Sequence, residues 1–146
     1  MRNYFIQLVS IIFLFNSCQK EEDTIRQPEV NPNEVRVYFD DVLIIKCVGN
    51  TLVFGSLTLI KNIKTSNIEV VFFDQNGRIF DISDNKFDLL VGSGANYLAY
   101  CVQDQNNRWL FQVHTSNFTG MTYIKVGLTS WYSIKYLSPE IPVKVN

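Results

Sequence analysis

From Val35 onward the chain repeats one pattern: short runs of alternating or continuously apolar residues, broken by polar turns. Val35–Tyr38 alternates and Val42–Val48 is rich in β-branched residues. Thr51–Ile60 and Ile68–Phe73 follow, with a polar Lys61–Asn67 connection between them. Such runs predict strands. Asn76-Gly77 suits a tight turn with positive φ, so Val70–Phe73 and Arg78–Phe80 are expected to pair as a hairpin. Further strands are predicted at Tyr97–Gln103, Trp109–Thr115, Tyr123–Leu128, Trp131–Tyr136 and Ile141–Val145, with Asp104–Asn107 closing a second hairpin. Gly92-Ser93-Gly94 reads as a turn, with no following helix to cradle a phosphate. Pro139 and Pro142 fit a last strand at a sheet edge, where a missing donor is tolerated. No window carries a 3.6-residue stripe bounded by caps. Nine or so strands in about 110 residues predict an all-β, antiparallel β-sandwich, with a small barrel as the alternative.

The first residues read differently. Arg2 precedes an apolar run, Tyr4–Phe15, and then Ser17-Cys18. A positive start, a short apolar stretch and a small residue describe a secretory signal peptide. In a helix such a run covers about 18 Å, too little for a hydrocarbon core of roughly 30 Å, so it targets the chain and does not span. The cysteine resembles the lipobox of bacterial lipoproteins. Ser17 fits that box, while Phe15 and Asn16 depart from the usual aliphatic and small residues. The resemblance implies cleavage after residue 17 and a lipid on Cys18 that holds the protein to a membrane. Residues 18–34 are polar, contain Pro28 and Pro32, and read as a flexible tether. Gln19-Lys20-Glu21-Glu22-Asp23 resembles the acidic export signal of surface lipoproteins in Bacteroidota-type bacteria, which implies display outside the outer membrane. Residues 35–146 then form the domain.

Removing the leader takes Arg2 with it and leaves 12 basic against 14 acidic side chains. That balance gives no electrostatic reason to expect nucleic acid as a partner. Eleven Phe, seven Tyr and two Trp supply ample core material. With Cys18 set aside as the lipid site, Cys47 and Cys101 form an even pair in an oxidising compartment. A bridge between them would close a loop of about 55 residues, worth roughly 4 kcal/mol. Two buried free thiols are the equal alternative, because cysteine packs as a small hydrophobe.

Gly55–Phe80, with Phe72-Phe73-Asp74-Gln75-Asn76-Gly77 at its turn, and the closing Tyr136–Val145 resemble immunoglobulin-like modules of bacterial envelope proteins. No Trp lies a dozen residues after Cys47, and Tyr97 stands four residues before Cys101 instead of two. The resemblance therefore implies neither a tyrosine corner nor the disulfide of antibody domains.

Candidate chemistry is sparse. His114 is the one histidine, inside a predicted strand, and no motif supplies a nucleophile or an orienting acid beside it. Asp74-Gln75-Asn76-Gly77 opens like a calcium loop, but the twelfth position is Asn85, not an acid. Asp81, Asp84 and Asp88 lie close in sequence and could gather oxygens around a hard cation. Turns favour Asp for their own backbone bonds, so no metal or other cofactor is expected. Carboxylate pairs for glycoside hydrolysis need a cleft that so small a sandwich has little material to build. Trp109, Trp131 and Tyr132 each follow a polar loop, where flat rings can stack on sugars or anchor a protein interface; core packing is the plainer role for each. The expectation is a non-catalytic binding or accessory module on the cell envelope, with a glycan or another envelope protein as its partner. A subunit docking onto another envelope protein is the alternative.

Overall fold

The computed structural model describes residues 31–83, 86–131 and 133–146, and within them the alternation resolves into strands. These are β1 (Glu34–Phe39), β2 (Val42–Val48), β3 (Thr51–Phe54), β4 (Leu57–Leu59), β5 (Ile68–Phe73), β6 (Phe87–Ser93), β7 (Ala99–Gln103), β8 (Leu110–Thr115), β9 (Gly120–Ser130), β10 (Ser133–Leu137) and β11 (Ile141–Val145). Two sheets form. The first runs β3-β2-β1-β5-β8-β7, and the second runs β10-β9-β11-β4 with β6 on the other side of β9. Every strand pair is antiparallel except β4 with β11. The fold is the expected all-β sandwich, not a closed barrel.

The period of two decides what lies between the sheets. Val35, Val37, Ile45, Ile68, Val70, Phe72, Phe111 and Val113 face inward from the first sheet. Ile124, Val126, Leu128, Ile141, Val143 and Val145 meet them from the second. Each buried aliphatic or aromatic side chain contributes about 1.5–3 kcal/mol relative to exposure. Tyr136 closes the core edge-on to Phe72, ring centroids 6.0 Å apart, and its hydroxyl donates to the Gly49 carbonyl at 3.1 Å.

Three local expectations are corrected and one is narrowed. Thr51–Ile60 is two strands in different sheets, because Gly55 takes φ +111°, and a Cβ there would sit 2.3 Å from the Ile44 carbonyl oxygen. Gly92-Ser93 is no turn but the end of β6, a strand whose Phe87 and Leu89 are buried and which pairs with β9 along its whole length. The Asn76-Gly77 turn forms with Gly77 at φ +74° and its flanks do pair, but the hairpin is short: the Asp74 N–H donates to the Arg78 carbonyl at 2.9 Å and the Phe80 N–H to the Phe72 carbonyl at 2.8 Å. Finally, β11 lies inside its sheet. Pro142 is accommodated because β4 pairs only from Val143 onward.

One long hairpin organises the second sheet. β9 pairs with β11 over Gly120–Ile124 and with β10 over Gly127–Ser130. Between these stretches Ser138 holds the ladder: its N–H donates to the Val126 carbonyl at 2.8 Å, and its hydroxyl accepts the Val126 N–H at 3.0 Å.

Candidate functional site

The two sheets present unlike outer faces. On the first, Arg36 lies over the Phe73 ring at 3.9 Å, and Glu34 pairs with both Arg36 and Lys46. The Glu34 bond raises the Arg36 pKa above its ordinary value. These side chains cover the middle of that face, while Tyr100 and Val102 of β7 stay exposed at its edge.

The outer face of the second sheet is opened by glycines. Residues 123, 125, 127 and 129 of β9 point away from the core, and the registers set their neighbours. Tyr123 lies against Gly94, where an added Cβ would come within 2.4 Å of its ring. Lys125 lies opposite Gly92, whose missing side chain leaves open space. Gly127 lies between Leu90 and Leu137, and a Cβ there would meet the Tyr136 carbonyl at 2.8 Å. The result is a groove of about 290 Å³ walled by Leu90, Tyr123, Lys125 and Leu137. Lys125 Nζ sits 3.5 Å from Glu140 Oε1 and 5.6 Å from the Tyr123 ring centre.

At the far end of β9 stands Trp131. It is 79% exposed, and its backbone takes φ +53°, with its N–H donating to the Lys86 carbonyl at 3.3 Å. Trp109 lies at the same end of the sandwich, since Arg108 beside it reaches Asp88 of β6 at 3.8 Å. Its ring, however, packs edge-on against Phe72 at 6.5 Å and joins the rim of the core. Its carbonyl accepts the Val70 N–H, and its N–H donates to Asn107 Oδ1. Trp109 is therefore half-buried framework. Tyr132 and Cys18 lie outside the described residues, as do the leader, most of the tether and Asp84.

Cys47 and Cys101 are free thiols. Three strands, β1, β5 and β8, separate β2 from β7 in the same sheet. Four strand spacings of roughly 4.8 Å put the two about 19 Å apart, whereas a disulfide needs Cα atoms within about 7 Å. The bridge considered from sequence does not form. Burial pushes the Cys47 thiol up to about 11 and the Cys101 thiol up to about 12, so both stay protonated at neutral pH.

Three of the aspartates serve turns. Asp74 Oδ1 accepts the N–H groups of Arg78 and Asn76, and Asp104 Oδ1 those of Asn106 and Asn107; these bonds hold both carboxyls below their ordinary range. Asp81 takes the Ser83 N–H. His114 sits mid-strand beside the Tyr100 ring at 5.0 Å, its Nε2 shielded and without a hydrogen-bond partner among the described residues. A larger cleft of about 490 Å³ opens at the seam between β4 and the start of β5, lined by Phe39, Ile44, Leu57, Leu59, Ile63 and Ile68 among others. Its walls are mainly apolar, and its Thr65 hydroxyl is engaged by the Val113 N–H. Ser56, Thr58, Lys64 and Ser66 line it as well, so the β9 groove is the more apolar of the two and is set apart by Lys125 and the Tyr123 ring at its wall.

Sequence reasoning missed that groove. The signal available was a glycine in mid-strand, Gly127, flanked at intervals of two by Lys125 and Thr129.

No family model matches the chain, and no curated protein resembles it in sequence. Among solved structures the chain is similar to parts of the S-layer protein SbsC. Domains 4 and 5 match with TM-score 0.44 and 17% identity over 71% of this chain and 56% of that one. Domains 5–6 match with TM-score 0.45 and 17% identity over 70% and 45%. Domains 4–9 match with TM-score 0.45 and 18% identity over 79% and 18%. The chain thus spans about half or less of each.

Proposed function

We propose that this protein is a non-catalytic glycan-binding module, held on the outer surface of a bacterial outer membrane by a lipid on Cys18. Trp131 carries the reading. A left-handed backbone costs a non-glycine residue about 1–2 kcal/mol, and an indole so exposed returns little of that through packing. A ring kept at such a position is explained by something it stacks on. The Cys18→Ala chain, purified without detergent, should be retained on one or more neutral polysaccharides, and Trp131→Ala should abolish that retention. Retention indifferent to Trp131 overturns the assignment of the tip. For the anchor, Cys18→Ala should end lipid labelling and release the protein from membranes; continued membrane association means the lipoprotein reading is wrong.

A second reading has its own support. At the opposite end of the sandwich Tyr97 and Phe118 stack edge-on at 6.4 Å, both more than half exposed, with Ile60 and Met121 exposed at the same end. Such a pole suits docking onto another envelope protein. Co-purification of one stable partner after mild detergent extraction, lost in Phe118→Asp, would favour it over glycan binding.

A further inference from the structure

We propose that the groove over Gly92 is a subsite for a neutral pyranose unit of the same glycan that engages Trp131; this rests on the glycan-binding reading above. The argument starts from what the groove offers. Its volume, about 290 Å³, falls just short of the usual range for ligand sites, roughly 300–1,000 Å³, as suits one sugar unit of a longer chain. Leu90, Leu137 and the Tyr123 ring supply apolar walls, while Gly92 leaves the floor bare. The charged wall residue is Lys125, and just outside the wall its Nζ meets Glu140 Oε1 at 3.5 Å.

An exposed pair of this kind adds little stability. It does place a donor and an acceptor side by side at the margin of an apolar surface. A ligand that uses both must carry an apolar face and neighbouring hydroxyls, which accept from the ammonium and donate to the carboxylate. A pyranose ring has both. A phosphate or a uronate does not match, since its charge would face Glu140 as well as Lys125. An extended peptide matches poorly too, because the strands beneath have their backbone groups committed to the sheet, and the groove lies on a face, not along an edge.

Position supports the assignment. Tyr123 and Trp131 lie on one strand and its turn, eight residues apart, which is about 26 Å at roughly 3.3 Å per residue. Lys125, Gly127 and Thr129 line the face between them. A polysaccharide laid along β9 would meet the groove at one end and the indole at the other.

Gly92→Leu tests this directly. A Cβ at Gly92 meets nothing within 4 Å and its φ is ordinary, so the variant should fold normally while its side chain fills the groove. Lys125→Met, an exposed change, removes the donor and keeps the outline. The probes are a neutral glucan, a galactomannan and polygalacturonate, with melting temperature measured for each protein. The expected result is retention on a neutral polysaccharide, weakened at least ~10-fold by Gly92→Leu and by Lys125→Met, a change equivalent to about 1.4 kcal/mol. Retention untouched by both but lost in Trp131→Ala overturns the subsite and leaves the glycan reading standing. Preferential retention on polygalacturonate that Gly92→Leu blocks overturns the neutral class. No retention of the parent chain on any probe overturns the subsite together with the reading beneath it.

Discussion

Trp109 and Trp131 begin as equals: each follows a polar stretch and each borders a strand. In the folded chain they part. Trp109 immediately precedes β8 and leans on Phe72 from β5, its main chain bonded on both sides. Trp131 sits beyond the last pairing of β9, where no strand of the opposite sheet meets its ring, and its backbone adopts a conformation that suits glycine better. One indole is framework and the other stands in solvent. Local sequence could not distinguish them, because the difference lies in a distant partner.

The comparison breaks most easily at Trp109. Replacing it with Ala should cost about 3 kcal/mol, the low end for an aromatic truncation because the ring is only half-buried. Urea unfolding measures this directly; a loss under about 1 kcal/mol would make Trp109 as dispensable as its counterpart. Next is Ser138→Ala at the base of the Trp131 hairpin. It leaves the buried Val126 N–H without its acceptor and should cost about 2 kcal/mol. If that change also weakened polysaccharide retention at temperatures where the domain stays folded, the tip would depend on the rigidity of its stem.

Trp131→Gly should move stability the other way, raising it by about 0.5–1 kcal/mol through relief of the left-handed strain while ending retention. Lost stability here would mean the indole packs after all. The smallest effect concerns the thiols. Intact mass should be identical with and without reductant, and both cysteines should resist a thiol reagent until the chain unfolds. Their folded pKa values are raised, so the stability they contribute is complete below the ordinary thiol value, about 8.5, and is lost as pH rises from there toward about 11 to 12. The melting temperature should accordingly fall in that alkaline window; a flat profile would refute burial of these groups.

Much of the fold was legible. Val42–Val48, Ile68–Phe73 and Ile141–Val145 come out with the predicted bounds, because alternation and β-branching there agree with the final burial. β6 was not, since Leu90 faces outward beside buried Leu89 and Gly92 resembles a turn; its identity as a strand comes from pairing with β9. The parallel pairing of β4 with β11 was equally hidden, being a contact between segments more than eighty residues apart. Of the site, Trp131 was one of three candidate aromatics for which core packing was the plainer reading, whereas the groove needed Gly92 of β6, Gly94 just after it and Gly127 of β9 to be seen together.

That parallel pair also sets an order of events. β11 follows every other described strand, yet it carries Ile141, Val143 and Val145 into the core and stands between β9 and β4. Until it arrives, β4 has no partner in its sheet and the sandwich stays open on that side. Contacts of such long span make folding slow, on the scale of ms to s typical of β-sandwiches. A growing chain would therefore stay loose, with its apolar strands uncovered, until the last strand had emerged.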